Sequence, residues 1–136
     1  MITAVDTNVL LDVFTDDPTF RDRSLSALRR CLAEGRVIAC DIVWSETVAA
    51  FPDEHAASVA LGSIPVGYVP IDVGAAARAG AAWRDYRGRG GPRDRIVADF
   101  LVGAHALVHA DRLLTRDRGF QRAAFEGLTI VDPTAS

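Results

Sequence analysis

The chain has 136 residues, of which 49% are hydrophobic, enough to bury a core and too apolar for a disordered chain. Its net charge is −3 and all fifteen basic residues are arginine, so the overall balance gives no nucleic-acid signal, and chemistry that needs a lysine is excluded. No apolar run reaches the roughly eighteen residues of a membrane span, and the N-terminus lacks a secretory pattern, so a cytoplasmic protein is expected.

The apolar run at residues 2–5 predicts a strand buried on both faces, and it ends in Asp6. Residues 10–14 continue as apolar helix or turn before Asp16-Asp17-Pro18. Leu25, Leu28 and Leu32 recur at helical spacing over residues 21–34, which Gly35 closes. Residues 36–40 read as a second strand ending in Asp41, and 42–51 as a helix carrying Glu46 and stopped by Pro52. An alanine-rich helix follows over 54–64, then a third strand over 68–71 ending in Asp72, then a long helix over 73–86. Residues 87–95, Arg-Gly-Arg-Gly-Gly-Pro-Arg-Asp-Arg, read as a flexible loop. A strongly apolar helix is predicted over 96–110, a fourth strand over 112–115, a short helix over 118–125 and a last strand over 129–131. Strands alternating with helices predict an α/β fold in three layers, α/β/α, with a parallel sheet of about five strands, in a single domain over residues 1–136. Cys31 and Cys40 are expected to be buried free thiols, and His55, His105 and His109 lie too far from them in sequence to suggest zinc.

Most of the strands end in Asp, which a strand-to-helix turn favours as a cap, so that feature alone says little. Asp6 has both readings, helix cap or ligand, since ligands of open α/β sheets gather beyond the carboxyl ends of the strands. Asp99 is more telling: it is the one acid within the apolar residues 96–104, where a buried unpaired carboxylate would cost several kcal/mol. It must meet a cation, with Arg95 the local candidate, accept strong hydrogen bonds, or face a cleft. Glu46 lies among Val43, Trp44, Val48 and Phe51, and Asp117 follows the fourth strand; solvent exposure and a helix cap are their ordinary readings. A parallel fold can bring Asp6, Glu46, Asp99 and Asp117 together, and such a cluster is tolerable mainly around a divalent cation. Oxygen ligands without His or Cys select Mg2+ or Mn2+, which points to phosphoryl chemistry.

Asp6-Thr7-Asn8 after an apolar strand, Glu46, the stretch Ala98-Asp99-Phe100-Leu101-Val102-Gly103-Ala104 and Leu114-Thr115-Arg116-Asp117-Arg118-Gly119-Phe120 together resemble a PIN-domain ribonuclease. The resemblance covers nearly the whole chain and is nearest to VapC-type toxins of bacterial type II toxin–antitoxin pairs. It implies that Asp6, Glu46, Asp99 and Asp117 are the catalytic and metal-holding acids, supported by Asn8 and Thr115. Asp94 reads better as a helix cap than as an outer ligand. The resemblance further implies a Mg2+- or Mn2+-dependent endoribonuclease that cuts structured RNA and inhibits translation. A cognate antitoxin on a separate chain would hold it inactive, homodimers would be usual, and no membrane is involved.

On this reading the arginines of the loop (Arg84, Arg87, Arg89, Arg93, Arg95) and those near the last acid (Arg112, Arg116, Arg118) are candidates to grip RNA phosphates, with Arg87, Arg89, Arg93 and Arg116 foremost. Their ordinary reading is a solvated rim. His105, His109, Trp44 and Trp83 are expected to be packing, interface or surface residues. Receiver-type and haloacid-dehalogenase-like phosphotransfer sites resemble this layout but use a lysine, which the chain lacks. The remaining alternative is a non-catalytic PIN-like protein-interaction module, which would be expected to have lost one of the acids.

Overall fold

A computed structural model describes residues 1–90, 97–117 and 119–135. The elements in order are β1 (Ile2–Val5), α1 (Thr7–Phe14), α2 (Arg21–Glu34), β2 (Arg36–Ala39), α3 (Asp41–Val48), α4 (Glu54–Ser63), β3 (Val66–Tyr68), α5 (Val73–Gly88), α6 (Val97–His109), β4 (Arg112–Leu114), α7 (Phe120–Ala124) and β5 (Ile130–Val131). The strands form one parallel sheet in the order β3-β2-β1-β4-β5. The chain therefore runs outward from β1 to β3, crosses back, and runs outward again through β4 and β5. Right-handed crossovers put the helices of the first run on one face and those of the second on the other. Packing largely follows that division: α1 lies on α2 and α3, and α6 lies on α5 and α7, with α3 also touching α6. The expected three-layer α/β/α fold with five parallel strands is what the chain adopts.

The central strands are apolar because both of their faces are covered. Ala4, Val5, Val37, Ile38, Ala39, Leu113 and Leu114 are all buried, and with Leu10, Leu28 and Phe100 they form the core. Cys31 and Cys40 are buried free thiols. Among the described residues no helix is long and apolar enough to cross a membrane.

Two boundaries and the setting of one acid differ from the sequence expectation in ways that bear on the site. The helix after β1 begins at Thr7, because the Asp6 side chain caps it. The third strand is Val66–Tyr68 rather than 68–71: it is a sheet edge of three residues, too short to carry a pattern, and the extended chain beyond it leads to Asp72. Asp72 is a cap, accepting from the Ala75 N–H at 2.9 Å. Asp99 lies in the first turn of α6 and is exposed, not buried in mid-helix.

Packing leaves no spare room where α6 meets α7. A methyl group added to Gly103 would collide with Gln121 Oε1 and the Phe125 ring, and Phe125 is only 1% exposed. Alanine favours a helix over glycine by about 1 kcal/mol, but overpacking a core position costs about 1–3 kcal/mol. Gly103→Ala should therefore lower the urea midpoint despite its better helix propensity. An unchanged or raised midpoint would show that Phe125 can move aside.

Candidate active site

In the sheet order, β1 and β4 are the neighbours at which the chain reverses its direction of travel. This is where a crevice opens beyond the carboxyl ends of the strands. The pairing register sets Val5 opposite Leu114, so the next residues, Asp6 and Thr115, leave the sheet side by side. Asp6 ends β1 in an extended conformation (φ −84°, ψ 157°), and its N–H still donates to the Leu114 carbonyl at 2.9 Å.

Both carboxylate oxygens of Asp6 are engaged. Oδ1 accepts from the Thr7 N–H at 2.8 Å, and Oδ2 accepts from the Thr115 hydroxyl at 2.8 Å. Thr115 is completely buried, and its oxygen accepts twice in return, from Asn8 Nδ2 at 3.3 Å and from the Asp117 N–H at 3.0 Å. Asn8 Oδ1 accepts from the Arg116 N–H at 3.1 Å, which closes the loop of contacts between α1 and the turn after β4. Asn8 and Thr115, expected as polar supports, are thus joined to each other and to the turn that carries Asp117.

Asp117 Oδ2 accepts from the Gln121 N–H in the first turn of α7 at 2.7 Å, so the carboxylate does act as a helix-start acceptor. The buried Gln121 side chain then reaches across and donates from Nε2 to the Asp99 carbonyl at 2.9 Å. In this way α7 ties Asp117 to the start of α6. Glu46 is exposed on α3, and its Oε1 accepts from the Thr7 hydroxyl at 2.6 Å. Thr7 and Gln121 were not picked out from the sequence, since neither type nor spacing marks a residue whose partner is an acid far along the chain.

Electrostatics tie the acids together further. The Asp6 carboxyl is pushed up from 3.8 to about 6. Burial is the main cause; the Thr115 and Thr7 hydrogen bonds oppose it, and the charges of Asp99 and Glu46 add to it. The charges of Asp99 and Glu46 therefore both bear on Asp6, and every ligating atom in the set is oxygen. As placed, no three acidic, histidine or cysteine side chains among the described residues are gathered closely enough to hold a metal ion. The acids share a field without sharing a coordination sphere. Mutual repulsion disfavours closer approach, and a cation would favour it. The donor set suits a hard divalent ion, and the raised carboxyl marks a place where positive charge would be stabilising.

The basic candidates divide by position. Arg93, Arg95 and Arg118 lie outside the described residues, as does Asp94. Arg87 lies over the Trp83 ring at 5.5 Å, and Arg89 caps the C-terminus of α5. Arg116 makes a two-pronged ion pair with Asp12 on α1. Arg112 starts β4 at the opposite edge of the sheet from the acids. It donates to Thr3 Oγ1 and Glu34 Oε1, so the phosphate-gripping role considered for it is set aside. His105 is buried, and burial lowers the pKa of its imidazole; His109 lies 2.9 Å from Asp72. Trp44 and Trp83 pack against the core, as expected.

The family model of the PIN domain matches residues 3–126. The chain belongs to the PIN domain family. Among curated proteins none matches it by sequence. Solved structures share its fold at low identity. VapBC2 from Rickettsia felis, bound to a DNA fragment from its promoter, is 16% identical with a TM-score of 0.75, covering 97% of this chain and 98% of that one. A toxin–antitoxin complex from Klebsiella pneumoniae is 24% identical with a TM-score of 0.71, covering 96% and 97%. VapC20 from Mycobacterium tuberculosis, a sarcin–ricin loop cleaving toxin, is 17% identical with a TM-score of 0.61, covering 93% and 98%.

Two outcomes follow. First, the unfolded chain releases the Asp6 proton near pH 3.8, whereas the folded one holds it to about 6. Folding therefore binds a proton between these values, and stability falls as pH rises through that window, by roughly 3 kcal/mol in total. Urea titrations of the metal-free protein at a series of pH values should show this fall, and Asp6→Asn should flatten it. Second, Thr115→Val keeps the shape and removes the hydroxyl, leaving the Asp117 N–H and the Asn8 amide without their acceptor. A loss of about 1–3 kcal/mol is expected by thermal unfolding. A variant as stable as wild type would mean that water replaces the hydroxyl.

Proposed function

We propose that the protein is a divalent-metal-dependent endoribonuclease, the toxin of a VapBC-type pair, cutting structured RNA and inhibiting translation. The observation that carries this reading is the carboxyl edge of the sheet. Asp6 and the Asp117 turn emerge there on neighbouring strands through one shared threonine, and the charges of Asp99 and Glu46 bear on Asp6. The similar folds named above support it: one belongs to a sarcin–ricin loop cleaving toxin, and the others to a VapBC assembly and a toxin–antitoxin complex. An antitoxin on a separate chain as partner, and a homodimer, belong to the same reading.

Asp6, Asp99 and Asp117, with Glu46, would hold Mg2+ or Mn2+. Such an ion, when bound, would supply a water of lowered pKa and a Lewis-acid centre for the scissile phosphate. The protein's own part is orientation and proton handling. Thr115 and Asn8 fix the Asp6 carboxylate and the Asp117 turn in one frame, so that both acids are presented without a search over rotamers. Glu46, anchored through Oε1 by Thr7, keeps Oε2 to orient the attacking water and take up its proton. Arg87 and Arg89, at the C-terminal end of α5, are placed in this reading as phosphate contacts beside the cut, with Arg93 from the segment outside the described residues.

The test is a map of RNA 5′ ends after brief induction of wild type and Asp99→Asn, joined to cleavage of a stem-loop RNA in vitro. Wild type should leave 5′-phosphate and 3′-hydroxyl ends, stop in excess chelator, and lose about two orders of magnitude or more in rate with Asp99→Asn. Asp99→Asn should still bind the antitoxin. Undiminished growth arrest or cleavage by Asp99→Asn, or 2′,3′-cyclic phosphate products, would overturn the assignment and leave the non-catalytic interaction module.

A further inference from the structure

Among the described residues, the least exposed charged side chain lies outside the acid cluster. Asp12 sits on α1, one and a half turns beyond Asp6, and is only 3% exposed. It accepts three hydrogen bonds: from Arg116 Nε at 2.7 Å, from Arg116 Nη2 at 3.0 Å and from the Ser24 hydroxyl of α2 at 2.6 Å. The guanidinium also stacks over the Phe20 ring, 4.0 Å from its centroid. Its fork is thus spent on one carboxylate and its face on one aromatic ring, an arrangement that lysine could not reproduce.

The position of Arg116 in the chain gives this pair its meaning. It lies between Thr115, which binds Asp6, and Asp117, and its own N–H is held by Asn8. The turn carrying Asp117 is therefore fastened at the backbone by Asn8 and at the side chain by Asp12, so that β4 is pinned to α1 and α2 together. We propose that the Asp12–Arg116 pair is a positioning device that sets the place of Asp117 relative to Asp6, and that Arg116 serves there rather than as a grip on RNA phosphate. This rests on the nuclease reading above.

The two roles for Arg116 separate in salt dependence and in kinetics. A phosphate contact adds about one unit to the slope of log affinity against log salt, whereas a positioning residue adds none. Misplacing a group of the reacting site by an ångström costs about 100-fold in turnover. The experiment compares wild type, Arg116→Gln, Arg116→Lys, Asp12→Asn and the double variant. It measures stem-loop RNA binding in EDTA from low to high KCl, kcat and KM in Mg2+, and the rise in thermal midpoint on adding Mg2+ alone.

Arg116→Gln and Asp12→Asn are each expected to keep the wild-type salt slope. Each should lose about 10- to 100-fold in kcat with KM changed less than about twofold, and show a smaller Mg2+-induced thermal shift. The double variant should be no worse than the poorer single one, since the two residues act as a unit. If the glutamine variant does not fold, Arg116→Lys decides: it keeps the charge and loses the fork, and should show the same pattern in milder form. A slope flattened by about one unit in Arg116→Gln, with Asp12→Asn unaffected, would make Arg116 a phosphate contact and overturn the proposal. Wild-type kcat and Mg2+ response in the folded variants would also overturn it, leaving a pair that serves stability alone. Should Asp99→Asn itself cleave like wild type, the nuclease reading fails instead, and the two failures are told apart.

Discussion

One buried hydroxyl holds the candidate site together. The Thr115 side chain has one proton to give and two lone pairs to receive with, and all three are used: it gives to Asp6 and receives from Asn8 and from the Asp117 N–H. The three partners belong to the end of β1, the first turn of α1 and the turn after β4. The last backbone rungs still hold Asp6 to Leu114 and Thr115 to Val131, but they leave the side chains beyond them free to turn. The hydroxyl continues the work of the β1–β4 register by one residue, turning a strand pairing into a defined pair of side chains. That is why the acids of this edge are side-chain acceptors at element starts. Their carboxylates are oriented by the same donors that begin the helices.

Orientation is bought against solvation. The N-terminus of α1 presents its N–H groups and positive dipole end to Asp6, and Thr115 adds a further donor, all of which favour the ionised form. Burial nonetheless outweighs them, and the neighbouring charges of Asp99 and Glu46 push the same way. A carboxyl held against its ordinary preference by its own fold is a local cost that natural proteins tend to keep where function needs it. Glu46 and Asp99 remain exposed, so the repulsion they contribute is softened by water. Asp6 carries the penalty of burial, and it is fixed by two hydrogen bonds.

Much of this was legible in the sequence. Alternating apolar runs gave the layered parallel fold, and strands ending in acids placed Asp6 and Asp117 at one sheet edge. The edge strand escaped because Val66, Gly67 and Tyr68 form only three residues next to a breaker-rich stretch, with no period to read. Long-range pairs escaped for a different reason. Thr7 with Glu46, and Gln121 with the Asp99 carbonyl, are contacts across 39 and 22 residues. Nothing local announces them, since Thr and Gln at helix starts are ordinary residues.

A lone acid in an apolar helix must be paired or functional, and burial decides how strictly that rule binds. Asp99 was expected to be buried, yet it lies in an exposed first turn of α6, where an acid is at home beside the helix dipole. Asp12, in Leu10-Leu11-Asp12-Val13-Phe14, meets the rule's premise: it is buried, and its partner is an arginine 104 residues away. The two cases separate what an acid can be for. A carboxylate enclosed with a forked cation and a hydroxyl has its charge matched and holds structure in place, whereas the charges of Asp99 and Glu46 bear on Asp6 and raise its carboxyl. The same distinction sorts the arginines. Arg112 and Arg116 are spent on Glu34 and Asp12, so the high arginine content of this chain serves in part to fasten its own acids. That leaves recognition of any phosphate to the arginines whose guanidinium groups are not already committed to a carboxylate.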